Sequence, residues 1–68
     1  MNKFGDRLKE LRNDKGFSLS KVAKDLKISK SCMSMYENNK SQPTLDVLVK
    51  LADYFNVSLD FLVGRVDY

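Results

Sequence analysis

The sequence contains no histidine, a single cysteine and only three glycines, and these absences exclude several classes of protein. Without histidine, neither a serine–histidine nor a cysteine–histidine catalytic pair is available. Cys32 has no partner for an intramolecular disulfide, and a zinc site of the Cys/His type lacks its ligands. A carboxylate-based enzyme is the remaining catalytic alternative, but no pair of acidic residues stands out. We therefore expect neither an enzyme nor a cofactor.

The chain also lacks a long apolar run. Nothing approaches the roughly 18 consecutive apolar residues that suggest a membrane-spanning helix. Charges occupy the N-terminal MNKFGDRLKELR, where a signal peptide has its apolar segment. This pattern predicts a cytoplasmic chain without a membrane partner. Because the sequence has 68 residues, we expect a single domain over residues 1–68 with one small core.

Basic residues are concentrated in the first part of the chain. Residues 1–40 hold ten Lys/Arg and five Asp/Glu, a balance of +5, whereas residues 41–68 hold two and four, a balance of −2. Such asymmetry favours one face that meets a polyanion. The alternative is ordinary solubilising charge spread over the surface.

The stretch from Phe17 to Lys40 has the pattern of two short helices joined by a tight turn. Ser18 and Ser29 each precede apolar residues at helical spacing, in the position where a hydroxyl accepts a bond from a first-turn N–H. The segment 27–29 interrupts the pattern between them. Helix, short turn and helix is the arrangement of a DNA-binding helix-turn-helix, which we place at about residues 18–38.

The second of these helices has two different faces at about 100° per residue. With Met33 facing the core, the same side holds Ser29, Tyr36, Glu37 and Lys40. The far side holds Ser31, Ser34, Met35 and Asn38, with Lys30 between the faces at the N-terminus. Small polar side chains, a lysine and an outward methionine suit base edges and the thymine methyl group. The alternative is a solvated face with one stray methionine.

Three further helices are expected around this pair. The first is capped by Asn2 and ends at Gly16, the fourth follows the cap Thr44, and the fifth follows the cap Ser58. The core positions predicted on these helices are Phe4, Leu8, Leu11, Leu45, Leu48, Leu51, Ala52, Phe55, Leu59 and Leu62. The expected fold is all-α, a compact bundle of five helices.

From about Phe4 to Gly64 the chain resembles the Cro/cI-type (XRE) family of helix-turn-helix regulators. The resemblance rests on Arg12, Gly16, Phe17-Ser18, Val22-Ala23, Leu26, Ile28-Ser29, Met33, Tyr36-Glu37, Lys40, Pro43, Leu45, Leu48, Leu51-Ala52 and Val57-Ser58-Leu59-Asp60. It implies a lambda-repressor-like DNA-binding bundle whose third helix enters the major groove. Two positions depart from the family pattern: Leu19, where glutamine is frequent, and Lys27, where glycine is usual.

With the helix faces above, the resemblance implies roles for individual residues. Base contacts are expected from Lys30, Ser31, Ser34 and Met35, and phosphate contacts from Ser18, Leu19, Ser29, Asn38, Lys40 and Ser41. A structural ion pair is expected between Arg12 and Glu37, and a dimer interface around Val57, Leu59, Asp60 and Phe61. The alternatives are a solvated Lys40, a Phe61 that folds back on its own domain, and a Cys32 that packs rather than acts in redox chemistry.

The expected function is that of a small Cro-like repressor, a homodimer that reads a palindromic operator in double-stranded DNA. Its half-sites would lie one turn apart, about 34 Å. Activation through contact with polymerase is equally compatible with the resemblance. The alternative from another class is a protein-interaction or antitoxin-type module on the same scaffold. No small-molecule ligand is evident from the sequence.

Overall fold

The computed structural model describes residues 4–66, which form five helices and no strand. They are α1 (Phe4–Asp14), α2 (Leu19–Leu26), α3 (Lys30–Glu37), α4 (Leu45–Phe55) and α5 (Leu59–Leu62). The all-α, five-helix prediction is therefore confirmed. The predicted cap Asn2 lies outside the described residues. Within residues 4–66, no helix has both the length and the apolar character that a membrane crossing requires.

Four of these helices begin with the same local device. A serine or threonine in extended conformation precedes the helix, and its side-chain oxygen accepts a hydrogen bond from the backbone N–H three residues later. These caps are Ser18, Ser29, Thr44 and Ser58. Because each cap acts within one turn, the starts of α2 to α5 are specified locally, as the sequence predicts.

Left-handed backbone ends several of the helices. Gly16, which follows α1, has a φ of 70°. Lys27 and Asn56 adopt the same region at the ends of α2 and α4, with φ values of 60° and 56°. A side chain with a Cβ is strained in this region, although asparagine tolerates it better than lysine. Lys27, where the family usually has glycine, therefore holds a strained left-handed backbone in the turn between α2 and α3.

The core lies where α1, α2 and α3 meet α4 and α5. Its largest fully buried side chains are Phe4, Leu8, Val22, Met33, Leu51 and Leu62. Phe4 also meets Tyr36 edge to face, with ring centroids 6.4 Å apart. Each helix supplies at least one of these side chains, so no helix is held by local hydrogen bonds alone.

Gly5 lets α1 approach the C-terminal end of α3 closely. A Cβ at this position would lie 2.6 Å from the carbonyl oxygens of both Tyr36 and Glu37. The Gly5 N–H also donates to Asn39 Oδ1 at 3.0 Å. An orphan donor of the first turn of α1 is therefore capped by a residue that follows α3.

Four positions predicted to face the core do not. Leu45 is 67% exposed and Leu59 37% exposed. Helical periodicity predicts the side of the helix on which a residue lies, but not whether another element covers that side. Ser29 and Lys40 are exposed as well. Both lie outside the helical span of α3, where the wheel no longer applies.

Candidate nucleic-acid interface

Helices α2 and α3 are fixed to each other and to the core through one side of each. Val22, Ala23 and Leu26 of α2 are buried, as are Met33 and Tyr36 of α3. The turn between the helices is closed by the N–H of Ile28, which donates to the Ala23 carbonyl at 3.0 Å. The opposite side of α3 is thereby held outward on a rigid support.

The outward side of α3 carries the side chains predicted to meet base edges. Lys30, Ser31 and Met35 are exposed, and Ser34 is half-buried. Met33 has no exposed surface, whereas Met35 is 45% exposed. The two methionines thus face opposite sides, and the exposed face combines a cation, two hydroxyls and a flexible apolar side chain.

Ser34 is also bound by Asn38, the residue that follows α3. The Asn38 amide nitrogen Nδ2 donates to the Ser34 carbonyl at 2.9 Å and to Ser34 Oγ at 3.3 Å. The sequence predicted both residues on the same face but gave no sign of a bond between them. This contact aligns a hydroxyl on the exposed face of α3.

The beginnings of α2 and α3 are suited to anions. Ser18 Oγ accepts from the Lys21 N–H and Ser29 Oγ from the Cys32 N–H, each at 3.0 Å. Each hydroxyl keeps its hydrogen for another acceptor, and the first N–H groups of each helix have no intrahelical acceptor. The helix dipole adds positive potential at both places. Leu19 is half-buried, so its side chain packs while its N–H belongs to this first turn.

The loop after α3 carries two further predicted phosphate contacts. Lys40 is exposed and Ser41 half-buried. The Lys40 N–H donates to the Met35 carbonyl at 2.9 Å, which fixes the start of the loop against α3. The Lys40 ammonium group therefore extends from an anchored backbone.

Arg12 and Glu37 form a bidentate ion pair between α1 and α3. Arg12 Nε donates to Glu37 Oε2 at 2.6 Å and Nη2 to Oε1 at 3.0 Å. A third bond runs from Nη1 to the Phe17 carbonyl at 2.8 Å. Only 12% and 4% of the two side chains are exposed. The hydrogen bonds from the guanidinium to Glu37 raise the pKa of Arg12, so the arginine stays charged.

A second polar contact, not foreseen from the sequence, joins α2 to α4. Tyr54 Oη donates to Asp25 Oδ2 at 2.6 Å, and Lys21 Nζ donates to the same oxygen at 2.9 Å. The hydrogen bond from Tyr54, and then that from Lys21, lower the pKa of Asp25. An open cleft of about 480 Å³ lies beside this contact, lined by Asp25, Leu26, Lys27, Lys50, Asp53 and Tyr54.

The predicted dimer residues form a mixed surface around α5. Phe61 is half-buried, with the Arg7 guanidinium 4.2 Å from its ring centroid, and Arg7 Nη1 donates to its carbonyl at 3.1 Å. Val57 is half-buried and Asp60 exposed. Leu45 and Val49 of α4 add exposed apolar area, at 67% and 40%. Leu45 was predicted to face the core because its spacing matches that of core positions, whereas Val49 was not among the predicted core positions.

Two helices joined by a tight turn, the second with a polar and basic outer face, define the helix-turn-helix class. A family model described as "Helix-turn-helix" matches residues 8–62. The chain therefore belongs to this helix-turn-helix family, and the XRE-type resemblance is confirmed.

The relatives include several Bacillus regulators. The chain is 39% identical over 61 residues to the HTH-type transcriptional regulator ImmR of Bacillus subtilis, covering 90% of this chain and 48% of that protein. It is 45% identical over 60 residues to the HTH-type transcriptional regulator AnsR of the same species, covering 88% and 52%. The chain thus spans about half the length of the curated relatives it matches.

A solved structure has the same fold. The N-terminal DNA-binding domain of SinR from Bacillus subtilis superposes with a TM-score of 0.84 at 33% sequence identity. The match covers 93% of both chains. The lambda-repressor-like helical architecture expected from the resemblance is therefore confirmed at the level of the fold.

Proposed function

We propose that this chain is a sequence-specific DNA-binding domain of a transcriptional regulator and has no enzymatic activity of its own. The observation that carries this proposal is the outer face of α3, where Lys30, Ser31 and Met35 are exposed on a helix anchored by Met33. The names of the Bacillus relatives and of the SinR domain support the same function.

In the proposed complex, α3 lies in the major groove. Lys30 reaches guanine acceptors and Met35 contacts a thymine methyl group, with Ser31 and Ser34 at neighbouring base edges. Phosphates are held by Ser18, Ser29, Lys40 and Ser41, and by the backbone N–H of Leu19 at the start of α2. These contacts set the register of α3 along the duplex.

We further propose that two copies bind as a symmetric dimer in the cytoplasm, in contact around Val57, Leu59, Asp60 and Phe61. An inverted repeat would present two half-sites one turn apart, about 34 Å. Repression by occupying the operator and excluding polymerase is the simplest mechanism for such a domain. It needs no cofactor and no bound small molecule.

A selection of bound sequences from a randomised duplex pool, at near-physiological salt, tests this function. An enriched inverted repeat with half-sites one turn apart is the expected result. Replacing Lys40 by alanine should then reduce the slope of log K against log salt by about one, because one phosphate contact is lost. Lys50→Ala serves as the matched control, since Lys50 is an exposed lysine of α4 that is not among the proposed phosphate contacts.

A protein-interaction or antitoxin-type module is the second candidate. The observation that favours it is the exposed apolar area of Leu45, Val49 and Leu59, since exposed apolar patches mark interaction surfaces. Under this alternative the duplex pool yields no enriched sequence, and the chain binds DNA only weakly and in a strongly salt-dependent manner.

A further inference from the structure

The bond between Asn38 and Ser34 leaves the two side chains with defined hydrogen-bonding capacities. An asparagine amide has two N–H hydrogens. Asn38 Nδ2 faces two oxygens of one residue, the Ser34 carbonyl at 2.9 Å and Ser34 Oγ at 3.3 Å. Because the two oxygens belong to one residue and lie on the same side of the amide, one N–H is shared between them, and Ser34 Oγ is an acceptor for Asn38.

The Ser34 hydroxyl is an acceptor in this contact. A hydroxyl has one hydrogen and two lone pairs, and one lone pair is taken by Asn38. A serine within a helix commonly donates its hydrogen to the carbonyl four residues earlier. Among residues 4–66, Ser34 makes no such bond, and its hydrogen has no acceptor within the protein. The hydrogen is thus available to an outside group on the exposed face of α3.

We propose that Asn38 is a positioning residue that makes Ser34 a hydrogen-bond donor to a base. This inference rests on the proposed DNA-binding function and assigns a chemical preference within it. In the major groove, guanine O6 and N7, adenine N7 and thymine O4 are acceptors, whereas cytosine N4 and adenine N6 are donors. A donating Ser34 selects a base that presents an acceptor, with guanine favoured and cytosine disfavoured at that position.

This role differs from the phosphate contact that the family resemblance implies for Asn38, and the two make opposite predictions. Loss of a phosphate contact weakens binding about equally for all sequences. Loss of an orienting contact changes the base preference at one position of the half-site and leaves the other positions as they were.

The test is a selection from a randomised duplex pool with the wild type, S34A, N38A and N38D. S34A and N38A should both reduce the base preference at the same position, by roughly two- to tenfold, the value of one hydrogen bond. The double variant should reduce it no further. N13A is the matched control, because Asn13 is an exposed asparagine of α1 that is not among the proposed DNA contacts.

N38D reverses the polarity of the contact. A carboxylate has acceptors only, so the Ser34 hydrogen turns to Asp and the lone pairs of Oγ face outward. The preferred base at that position should then change toward adenine or cytosine, which offer N6 or N4 as donors. The added negative charge lowers affinity for every sequence, so the relative preference among bases is the readout.

The outcomes separate this inference from the function on which it rests. If the wild type enriches no sequence, both the proposed sequence-specific DNA binding and the proposed role of Asn38 are wrong. Enrichment by the wild type, with an unchanged base preference in N38A and uniformly weaker binding, overturns the role of Asn38 alone. Circular dichroism checks that each variant is folded. If N38A does not fold, the N38D variant tests the role of Asn38 instead: a shift of the preferred base toward adenine or cytosine supports it, and an unchanged preference overturns it.

Discussion

At the scale of single residues, Met33 and Met35 show how far neighbouring identical side chains differ in role. Met33 is fully buried and Met35 is 45% exposed. We expect Met33→Ala to cost about 2–5 kcal/mol of the free energy of unfolding, because it leaves a cavity. Met35→Ala should leave stability nearly unchanged and alter the selected DNA sequence. Urea unfolding of both variants measures the contrast, and equal losses would show that the assigned helix faces are wrong.

The Arg12–Glu37 pair is the second residue-scale test. With 12% and 4% of the side chains exposed, water screens the pair poorly. Removing one partner should cost about 3–5 kcal/mol of the free energy of unfolding, because a buried charge is left unpaired. We expect this loss for Glu37→Gln and for Arg12→Met in denaturant titrations.

The double variant R12M/E37L supplies the control for that prediction. Replacing both partners by apolar residues of similar volume removes the stranded charge, and such replacements are often neutral or stabilising. We therefore expect the double variant to be more stable than either single variant. Additive losses in the double-mutant cycle would contradict the view that the cost arises from an unpaired charge.

Tyr36 links the stability of the protein to alkaline pH. Its hydrogen bond with the Cys32 side chain, and then burial, raise the pKa of Tyr36 from 10.0 to about 12. The folded protein keeps a proton that the unfolded chain releases, so this contribution is complete below pH 10. It is lost as pH rises from 10 toward 12.

Thermal unfolding of the wild type and of Y36F at several pH values between 9 and 12 tests this window. The wild type should lose stability across the window, and Y36F should lose less, because phenylalanine has no proton to release. If the stability of the wild type and of Y36F falls equally with pH, groups other than Tyr36 cause the alkaline sensitivity.

At the scale of helices, the approach of α1 to α3 depends on Gly5. In an ordinary helix, replacing glycine by alanine adds stability of roughly 0.5–1 kcal/mol. Here the new Cβ would lie 2.6 Å from the Tyr36 and Glu37 carbonyl oxygens. We expect Gly5→Ala to cost about 1–3 kcal/mol instead, the usual cost of overpacking.

Gly16→Ala is the comparison for Gly5→Ala in equilibrium unfolding. A Cβ at Gly16 meets nothing within 4 Å, but its φ of 70° disfavours a side chain. This variant should therefore lose only the backbone strain energy, roughly 1–2 kcal/mol. Gly5→Ala should in addition lengthen the hydrogen bond from the N–H of residue 5 to Asn39 Oδ1. A stabilised Gly5→Ala variant would contradict the close packing of α1 on α3.

The helices also show which features of this fold follow from sequence and which do not. The caps Ser18, Ser29 and Thr44 were predictable because each acts on an N–H only three residues away. The outward position of Leu45 was not, because exposure at the first residue of α4 depends on neighbours distant in sequence. Periodicity alone makes Leu45 equivalent to a core leucine.

The same limit applies to the candidate interface. The two faces of α3 followed from the spacing of Met33 and Met35, since a helix fixes the angle between them. The bond from Asn38 to Ser34 was not predictable, because it depends on how the chain leaves the helix. The contact of Tyr54 with Asp25 joins residues 29 positions apart and had no local signal.

At the scale of the whole molecule, the dimensions of the fold can be compared with the spacing between successive major-groove segments of DNA. The fold measures 28 × 23 × 19 Å. Two major-groove segments on one side of B-DNA lie about 34 Å apart. Residues 4–66 extend over less than that spacing and hold one proposed reading helix, α3. Under the proposed function, one copy of this domain would therefore read one half-site, and an inverted repeat would take two copies.

The proposed dimer surface gives the last prediction. Leu59 is 37% exposed beside Phe61, and a charge at this position would be desolvated in an interface. We expect Leu59→Glu to remain folded, since the side chain is at the surface, but to lose dimerisation and cooperative binding. Val49→Glu places the same charge on α4, where Val49 is 40% exposed, and should keep both.

Sedimentation velocity, without DNA and with a duplex of two half-sites, distinguishes the outcomes of the dimer prediction. The wild type and Val49→Glu should place two copies on the duplex with a single cooperative transition. Leu59→Glu should fill the half-sites independently, because each copy keeps its α3 contacts but loses the contact between copies. If Val49→Glu instead abolishes cooperativity while Leu59→Glu retains it, the copies meet through the exposed apolar side of α4, and the interface around α5 is wrong.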